Sequence, residues 1–310
     1  MIDPLVAASR ASIAKGSKSF ALASRLFDPV LRDRATLLYA WCRYADDVID
    51  GQDAGHGRVE YAGTPAERLA GLEMRTRAAL AGEVSGDPPY DALARVAAET
   101  GMPDRYPLDL IEGFRSDVEE RTFVTFDDTL TYCYHVAGCV GVMMAIVMGV
   151  SPDDRATLDR ACDLGLAFQL NNIARDVVED AANGRCYLPE AWLAEAGLSK
   201  ATYAAPHNRA ALATIVSRLV DEAERYEASS RFGTPALTRR AAWAVLAAAD
   251  IYGGIGRRVR AEGADALDRR VTTSTLEKLL AVARTLPQSF SRARRWSATP
   301  SRAGLWTMRP

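Results

Sequence analysis

Apolar and polar positions along this chain recur at helical spacing, and no stretch alternates as a strand does. The run from Phe168 to Asp180 contains neither glycine nor proline, so nothing in it interrupts a helix. Gln169, Asn172, Asp176 and Asp180 stand at spacings of three, four and four among apolar Phe168, Leu170, Ile173, Val177 and Val178. Residues so spaced share one helical face. The run therefore predicts an apolar helix carrying a single polar stripe.

A second stripe lies upstream. Between Leu38 and Asp50, the residues Tyr39, Arg43, Asp46 and Asp50 stand at spacings of four, three and four. Each stripe ends in two carboxylates one turn apart, which repel each other. One such pair is an ordinary feature of a solvated helix. Two pairs, each inside an apolar helix and each preceded by polar residues in phase, point to a hard cation. Carboxylate oxygens are what magnesium takes as ligands, usually alongside substrate phosphates. The simplest arrangement sets the two helices face to face across a cavity, with magnesium bridging Asp46, Asp50, Asp176 and Asp180 to a diphosphate.

The remaining pattern predicts helices over 2–14, 66–81, 90–100, 108–120, 128–150, 209–230 and 238–261, with two short ones near Ala191 and Tyr203. Glycine-rich or polar segments at 51–65 and 82–89 read as loops. Ser151-Pro152-Asp153 opens the helix that leads to the second acid pair, with Asp153 and Asp154 in its first turn. Gly253, Gly254 and Gly256 weaken the helix they occupy by about 1 kcal/mol each and let neighbours approach closely. With no strand before them they form no nucleotide-binding loop. The expectation is one all-α domain over 1–290, followed by a tail over 291–310.

The composition narrows the function. The 310 residues are 48% hydrophobic, enough for a large core, and the formal net charge of -2 gives no reason to expect nucleic acid. The five cysteines are scattered and none form Cys-x-x-Cys, so neither a zinc site nor a disulfide framework is expected. The start of the chain lacks a basic segment followed by an apolar run, so no signal peptide is expected and the cytoplasm fits. The most membrane-like stretch, Val136 to Val150, is shorter than the roughly 20 residues a bilayer core requires. The tail carries Arg292, Arg294, Arg295, Arg302 and Arg309 with Trp296 and Trp306. Those residues suit peripheral contact with the inner face of a membrane, or a disordered end.

At this point the chain resembles the squalene/phytoene synthases. The carriers are Gly16-Ser17-Lys18-Ser19-Phe20, Tyr39 to Asp50, Tyr132-Cys133-Tyr134-His135-Val136-Ala137-Gly138, Phe168 to Asp180, and Gly184-Arg185-Cys186-Tyr187-Leu188-Pro189. Leu38 to Arg43 and Gly184 to Pro189 are especially similar to the bacterial phytoene synthases of carotenoid pathways. The resemblance implies an isoprenoid-synthase-type helical bundle around a central cavity. It also implies a prenyl transferase that joins two geranylgeranyl diphosphates head to head through a cyclopropyl diphosphate, giving phytoene. The implied metal is magnesium, or manganese, with Asn172 beside the four aspartates. NADPH is not expected, and other enzymes of the carotenoid pathway are the implied partners.

The resemblance assigns diphosphate binding to Ser17, Lys18, Ser19, Tyr39, Arg43, Gln169, Asn172, Arg175, Arg185, Tyr187 and Arg270, with Arg269 as the alternative to Arg270. Tyr132 and Tyr252 are the candidates for orienting or deprotonating cations, while His135 reads as structural. Asn171 departs from the family pattern, where threonine is common. Small residues such as Gly138, Ala145 and Ala167 are expected to leave room for the longer prenyl tail. Three rival readings stay open. The first is a squalene or dehydrosqualene synthase using farnesyl diphosphate. The second is a head-to-tail elongase, whose Asp-Asp-x-x-Asp pattern Asp46 to Asp50 fits and Asp176 to Asp180 does not. The third is a silent helical scaffold.

Overall fold

A computed structural model describes residues 3–16, 23–51 and 61–308, with the backbone alone over 11–16. Among the described residues there is no strand. The helices follow as α1 (Pro4–Gly16), α2 (Pro29–Asp50), α3 (Pro65–Leu80), α4 (Pro88–Thr100), α5 (Arg105–Val118) and α6 (Phe126–Cys133). A π-helical turn, Tyr134–Gly138, joins α6 to α7 (Cys139–Val147). Then come α8 (Arg155–Ala182), α9 (Glu190–Glu195), α10 (Arg209–Ser230), α11 (Arg239–Glu262) and α12 (Thr275–Arg295).

Local chemistry sets many of the boundaries. Asp28 caps α2 by accepting from the Leu31 backbone N–H, with Pro29 in the first turn, and Gly51 ends the helix at φ +66°. Thr64 with Glu67, Thr125 with Asp128, and Ser274 with Glu277 form reciprocal capping boxes for α3, α6 and α12. Asp154 does not lie inside the first turn of α8 as the sequence suggests. It sits one residue before that turn and accepts from the Thr157 N–H.

Helix α8 is the axis of the bundle. Leu158, Leu166 and Leu170 are fully buried, and α8 packs against α10, α7, the π turn and α11. The crossing with α7 brings backbones into contact. A Cβ on Gly165 would lie 2.3 Å from the Ala137 carbonyl oxygen, and one on Gly141 would lie 2.5 Å from that of Ala161. Only glycine fits at either place. Gly253 and Gly256 of α11 make room in the same way for Glu227 and Asn171. Asn171, the departure from the family pattern, is thus buried between α8 and α11, on the side of α8 away from the polar stripe.

Three parts of the chain differ from expectation. The single helix expected over 128–150 is interrupted by the π turn, whose extra residue shifts the facing of side chains on either side. The whole run Phe126–Val147 has 22 residues, long and apolar enough to cross a membrane by length and composition, and 61% of its most apolar window is buried inside the protein. The short helix expected near Tyr203 is a series of turns. Its Tyr203 is buried, and the hydroxyl donates to the Arg185 carbonyl, 3.1 Å away.

The tail also departs from a free end after residue 290. Helix α12 runs through that position to Arg295. Beyond it, Arg302 donates two hydrogen bonds to Asp163 at 2.6 and 3.0 Å, and the Trp306 N–H donates to the Tyr226 hydroxyl at 3.0 Å. Met308 is buried. A sequence reading sees arginine and tryptophan near a terminus. It cannot see that Asp163, over a hundred positions earlier, is a fully buried carboxylate in need of a counter-charge. Arg309 lies outside the described residues.

Candidate active site

Helices α2, α7, α8 and α11 enclose a cavity of about 610 Å³. Its wall on α8 is Thr157, Arg160, Ala161, Leu164, Gly165, Phe168, Gln169, Asn172 and Arg175, steps of three and four along one face. The eighteen positions from Thr157 to Arg175 rise roughly 27 Å. Leu38, Val136, Val140, Met144 and Ile251 line the middle, and Tyr39, Arg43, Gln169, Asn172, Arg175 and Arg270 gather at one end. The cavity is therefore a long apolar tube with a polar, cationic mouth. Its far end is closed by Arg160, which donates to Ser229 and to the carbonyl of Pro300 in the tail.

Both predicted polar stripes meet at that mouth. Arg43 bonds Asp46 at 2.5 Å, and Arg185, from the loop after α8, bonds Asp50 of α2 at 2.8 Å. Arg175 grips Asp176 with both Nε and a terminal nitrogen, while Arg270 reaches Asp176 at 3.2 Å and Glu179 at 3.3 Å. Arg269 pairs with Glu262 instead, so Arg270 is the arginine that faces the site. Tyr252 lines the cavity with its ring stacked on Phe168, centroids 4.4 Å apart. Asn172 donates to Gln169 at 3.3 Å. Ser17, Lys18 and Ser19 lie outside the described residues.

Asp117 of α5 joins the two stripes, and the sequence assigns it no role. It accepts hydrogen bonds from Tyr132 at 3.1 Å and from Tyr187 at 2.8 Å. Those two rings stack with centroids 4.7 Å apart. Its charge is felt by Asp46 on one side and Asp180 on the other. A signal for it existed: Leu110, Phe114 and Asp117 are in helical phase, so this acid follows a buried apolar stripe. Tyr132 and Tyr187 are thereby placed against Asp117, away from the cavity wall. Burial drives the Tyr132 hydroxyl well above its ordinary range. In this structure it is a donor to the Asp117 carboxylate. His135 lines a small separate pocket, and burial lowers its pKa from the ordinary value.

Two of the acids resist ionisation. Burial first, then Asp176, Glu179 and Asp117, push Asp180 up to about 7. Burial first, then Asp50, Asp47 and Asp117, push Asp46 up to about 6 against the opposing pull of Arg43. Among the described residues, no group of three or more acids, histidines or cysteines converges closely enough to hold an ion. The donor set still fits magnesium: all ligands are oxygens, and that ion usually completes its shell with phosphate and water. Of the residues expected to leave room for a long prenyl tail, Ala145 lines the cavity. Gly138 instead serves the packing against Cys162, and Ala167 is not part of the cavity wall.

The comparisons with known proteins agree with this arrangement. Residues 13–277 match the family described as squalene/phytoene synthase. The chain is 50% identical over 296 residues to a 15-cis-phytoene synthase of Pantoea ananas, covering 95% of both chains. It is likewise 50% identical over 308 residues to a 15-cis-phytoene synthase of a Paracoccus species, covering 99% of this chain and 98% of the other. Among solved structures, a ligand-bound dehydrosqualene synthase superposes with a TM-score of 0.81 at 29% identity, over 93% of this chain and 97% of that one. A tube of this shape, two acid helices at its mouth and matches across nearly the whole length leave one conclusion: the chain belongs to the squalene/phytoene synthase family.

Proposed function

We propose that the protein condenses two geranylgeranyl diphosphates head to head to 15-cis-phytoene, with release of diphosphate. The observation that carries this reading is 50% identity to 15-cis-phytoene synthases from end to end. The cavity supports it, being an apolar tube that ends in Arg43, Arg175 and Arg270, which pair with Asp46 and Asp176 of the two stripes. Asp46, Asp50, Asn172, Asp176 and Asp180 would hold magnesium. When bound, it supplies Lewis-acid neutralisation of the departing diphosphate.

The protein's own residues do the rest. Arg43, Arg175, Arg185 and Arg270 hold carboxylates in the structure, and are free to turn to phosphate oxygens once cations take over those acids. The apolar wall keeps water from the allylic cation formed as the C–O bond breaks. The stacked Phe168 and Tyr252 rings present aromatic surface part-way along the tube, suited to that cation. Cyclopropyl diphosphate formation, a second ionisation with rearrangement and proton loss complete the sequence. Proton loss needs only a base and no hydride. The proposed setting is the cytoplasm at the inner face of the membrane, and the hydrocarbon passes to later enzymes of the carotenoid pathway.

The test is incubation of the purified protein and magnesium with geranylgeranyl or farnesyl diphosphate, with and without NADPH, followed by chromatography of the hydrocarbon. Phytoene from the longer substrate without NADPH is expected. Preference for farnesyl diphosphate, or product only with NADPH, overturns the assignment.

A pH dependence follows from the acids. Asp180 and Asp46 retain protons in the folded protein at pH values where the unfolded chain, with the ordinary value of 3.8, has lost them. Their contribution to stability without metal is therefore greatest at low pH and is lost as pH rises through about 6 to 7. A cation must displace the same protons. Magnesium should thus raise the Tm more at about pH 8 than at about pH 5. Thermal unfolding with and without magnesium at both values checks this, and equal shifts would contradict it.

A further inference from the structure

Helix α12 is built inside out. Its buried side is Ala281, Thr285 and Ser289. Its outer side is Leu276, Leu279, Leu280, Leu286 and Phe290, exposed at 66, 51, 56, 36 and 60%. A surface helix of a globular protein ordinarily turns leucine and phenylalanine inward. Five large apolar side chains along one outer face form a patch of the kind that marks an interaction surface.

Charge decides what covers it. On this helix Arg284 is paired with Asp250 and Arg292 donates to the Leu237 carbonyl, which leaves Lys278, Arg294 and Arg295 as the outward cations, against the single acid Glu277, which is taken up by Arg258. Arg239 of α11 adds its guanidinium over the Phe290 ring at 4.5 Å. This basic rim stands out on a chain whose formal net charge is -2. A second copy of the chain is a poor occupant. A twofold contact pairs the patch with itself, residue i against residue j, and α12 offers Arg294 and Arg295 no free acid there, since its Glu277 is held by Arg258. An anionic lipid surface suits both features: leucines enter the headgroup boundary and arginines meet the phosphates. At 1.5 Å per residue, the helix lies along roughly 30 Å of that surface. Beneath it, α11 contributes Val245, Ala248 and Ile251 to the cavity wall.

We propose that the outer face of α12 docks the protein on a membrane rich in anionic lipid. Arg302 and Trp306, which latch the end of the chain to the bundle, are not needed for this, and the inference does not depend on which hydrocarbon is made. The test is co-sedimentation of the full chain with vesicles of mixed phosphatidylglycerol and phosphatidylcholine, and with phosphatidylcholine alone. Tight binding to the mixed vesicles, weakened by salt, is expected. The Leu279→Gln, Leu280→Gln, Phe290→Gln triple variant should bind about tenfold or more weakly, because interfacial affinity scales with apolar area. Arg294→Gln with Arg295→Gln should lower affinity for the mixed vesicles alone. All these side chains are exposed, so circular dichroism and turnover in detergent should match the wild type. The proposal is overturned if the triple variant sediments like the wild type, or if the wild type ignores both vesicles. It is also overturned if the wild type is a dimer that the triple variant makes monomeric with vesicle binding unchanged, which would assign the face to a second copy.

Discussion

Asparagine at Asp46, Asp50, Asp176 or Asp180 should each lower kcat by roughly a hundredfold or more, the equivalent of about 3 kcal/mol of charge stabilisation at the departing diphosphate. Asparagine keeps the size of the side chain and removes one negative charge, so folding should survive while cation affinity falls. The effect is expected at all four positions because the two acid helices meet at one mouth. Arg185 crosses from the end of α8 to Asp50 of α2, and the charge of Asp117 reaches both Asp46 and Asp180. Asp180 is the most informative case, since among the described residues no arginine or hydrogen-bond donor is seen on its carboxylate, although Arg185 is near. Turnover as a function of magnesium concentration is the measurement, with circular dichroism as the folding control. Near-normal rates at ordinary magnesium in two of the four variants would rule out a shared cluster.

The second large effect is on stability. Arg302→Ala should cost about 3–5 kcal/mol, the usual loss when one partner of a buried ion pair is removed, and lower the Tm by about 5–8 °C for a chain of this length. Asp163 has no exposed surface and takes two hydrogen bonds from Arg302, one from Ser229, and support from the charge of Arg160. Without Arg302 the carboxylate is left buried with its main counter-charge gone. The deficit should shrink at low pH, where protonation relieves it, and an added Asp163→Asn should recover part of it. The same latch fixes Pro300 against Arg160 at the closed end of the tube. A variant within about 1 kcal/mol of the wild type would mean that the tail is not a structural part of the bundle.

What was legible in the sequence was whatever repeats locally. The acid stripes, the bounds of α10 and the all-α class follow from spacings of three and four, which any run displays without its partners. The interrupted central helix was not legible, because the π turn sits where Gly138, Gly141 and Gly165 let two helices approach closely, a contact between distant positions. Asp117 was visible as a residue but not as the acid between the stripes, since Tyr132 and Tyr187 reach it from distant positions. The end of the chain was not legible for the same reason. Arginine and tryptophan suit a lipid surface or a buried latch equally well, and at Arg302 and Trp306 only Asp163 and Tyr226 decide for the latch. The apolar stripe of α12 is a local one, but the sequence reading places no helix over 275–295, and only the structure shows which side is outside.

The central claim is that both acid helices serve one diphosphate mouth and that the prenyl chain lies along α8. A crystal structure with magnesium and a non-hydrolysable thiodiphosphate analogue of geranylgeranyl diphosphate tests it most directly. The account predicts the diphosphate among Asp46, Asp50, Asp176 and Asp180, with Arg43, Arg175 and Arg270 turned from carboxylate to phosphate and the hydrocarbon running past Phe168 toward Arg160. A diphosphate bound to one acid pair alone, or a hydrocarbon lying outside the tube, would contradict it.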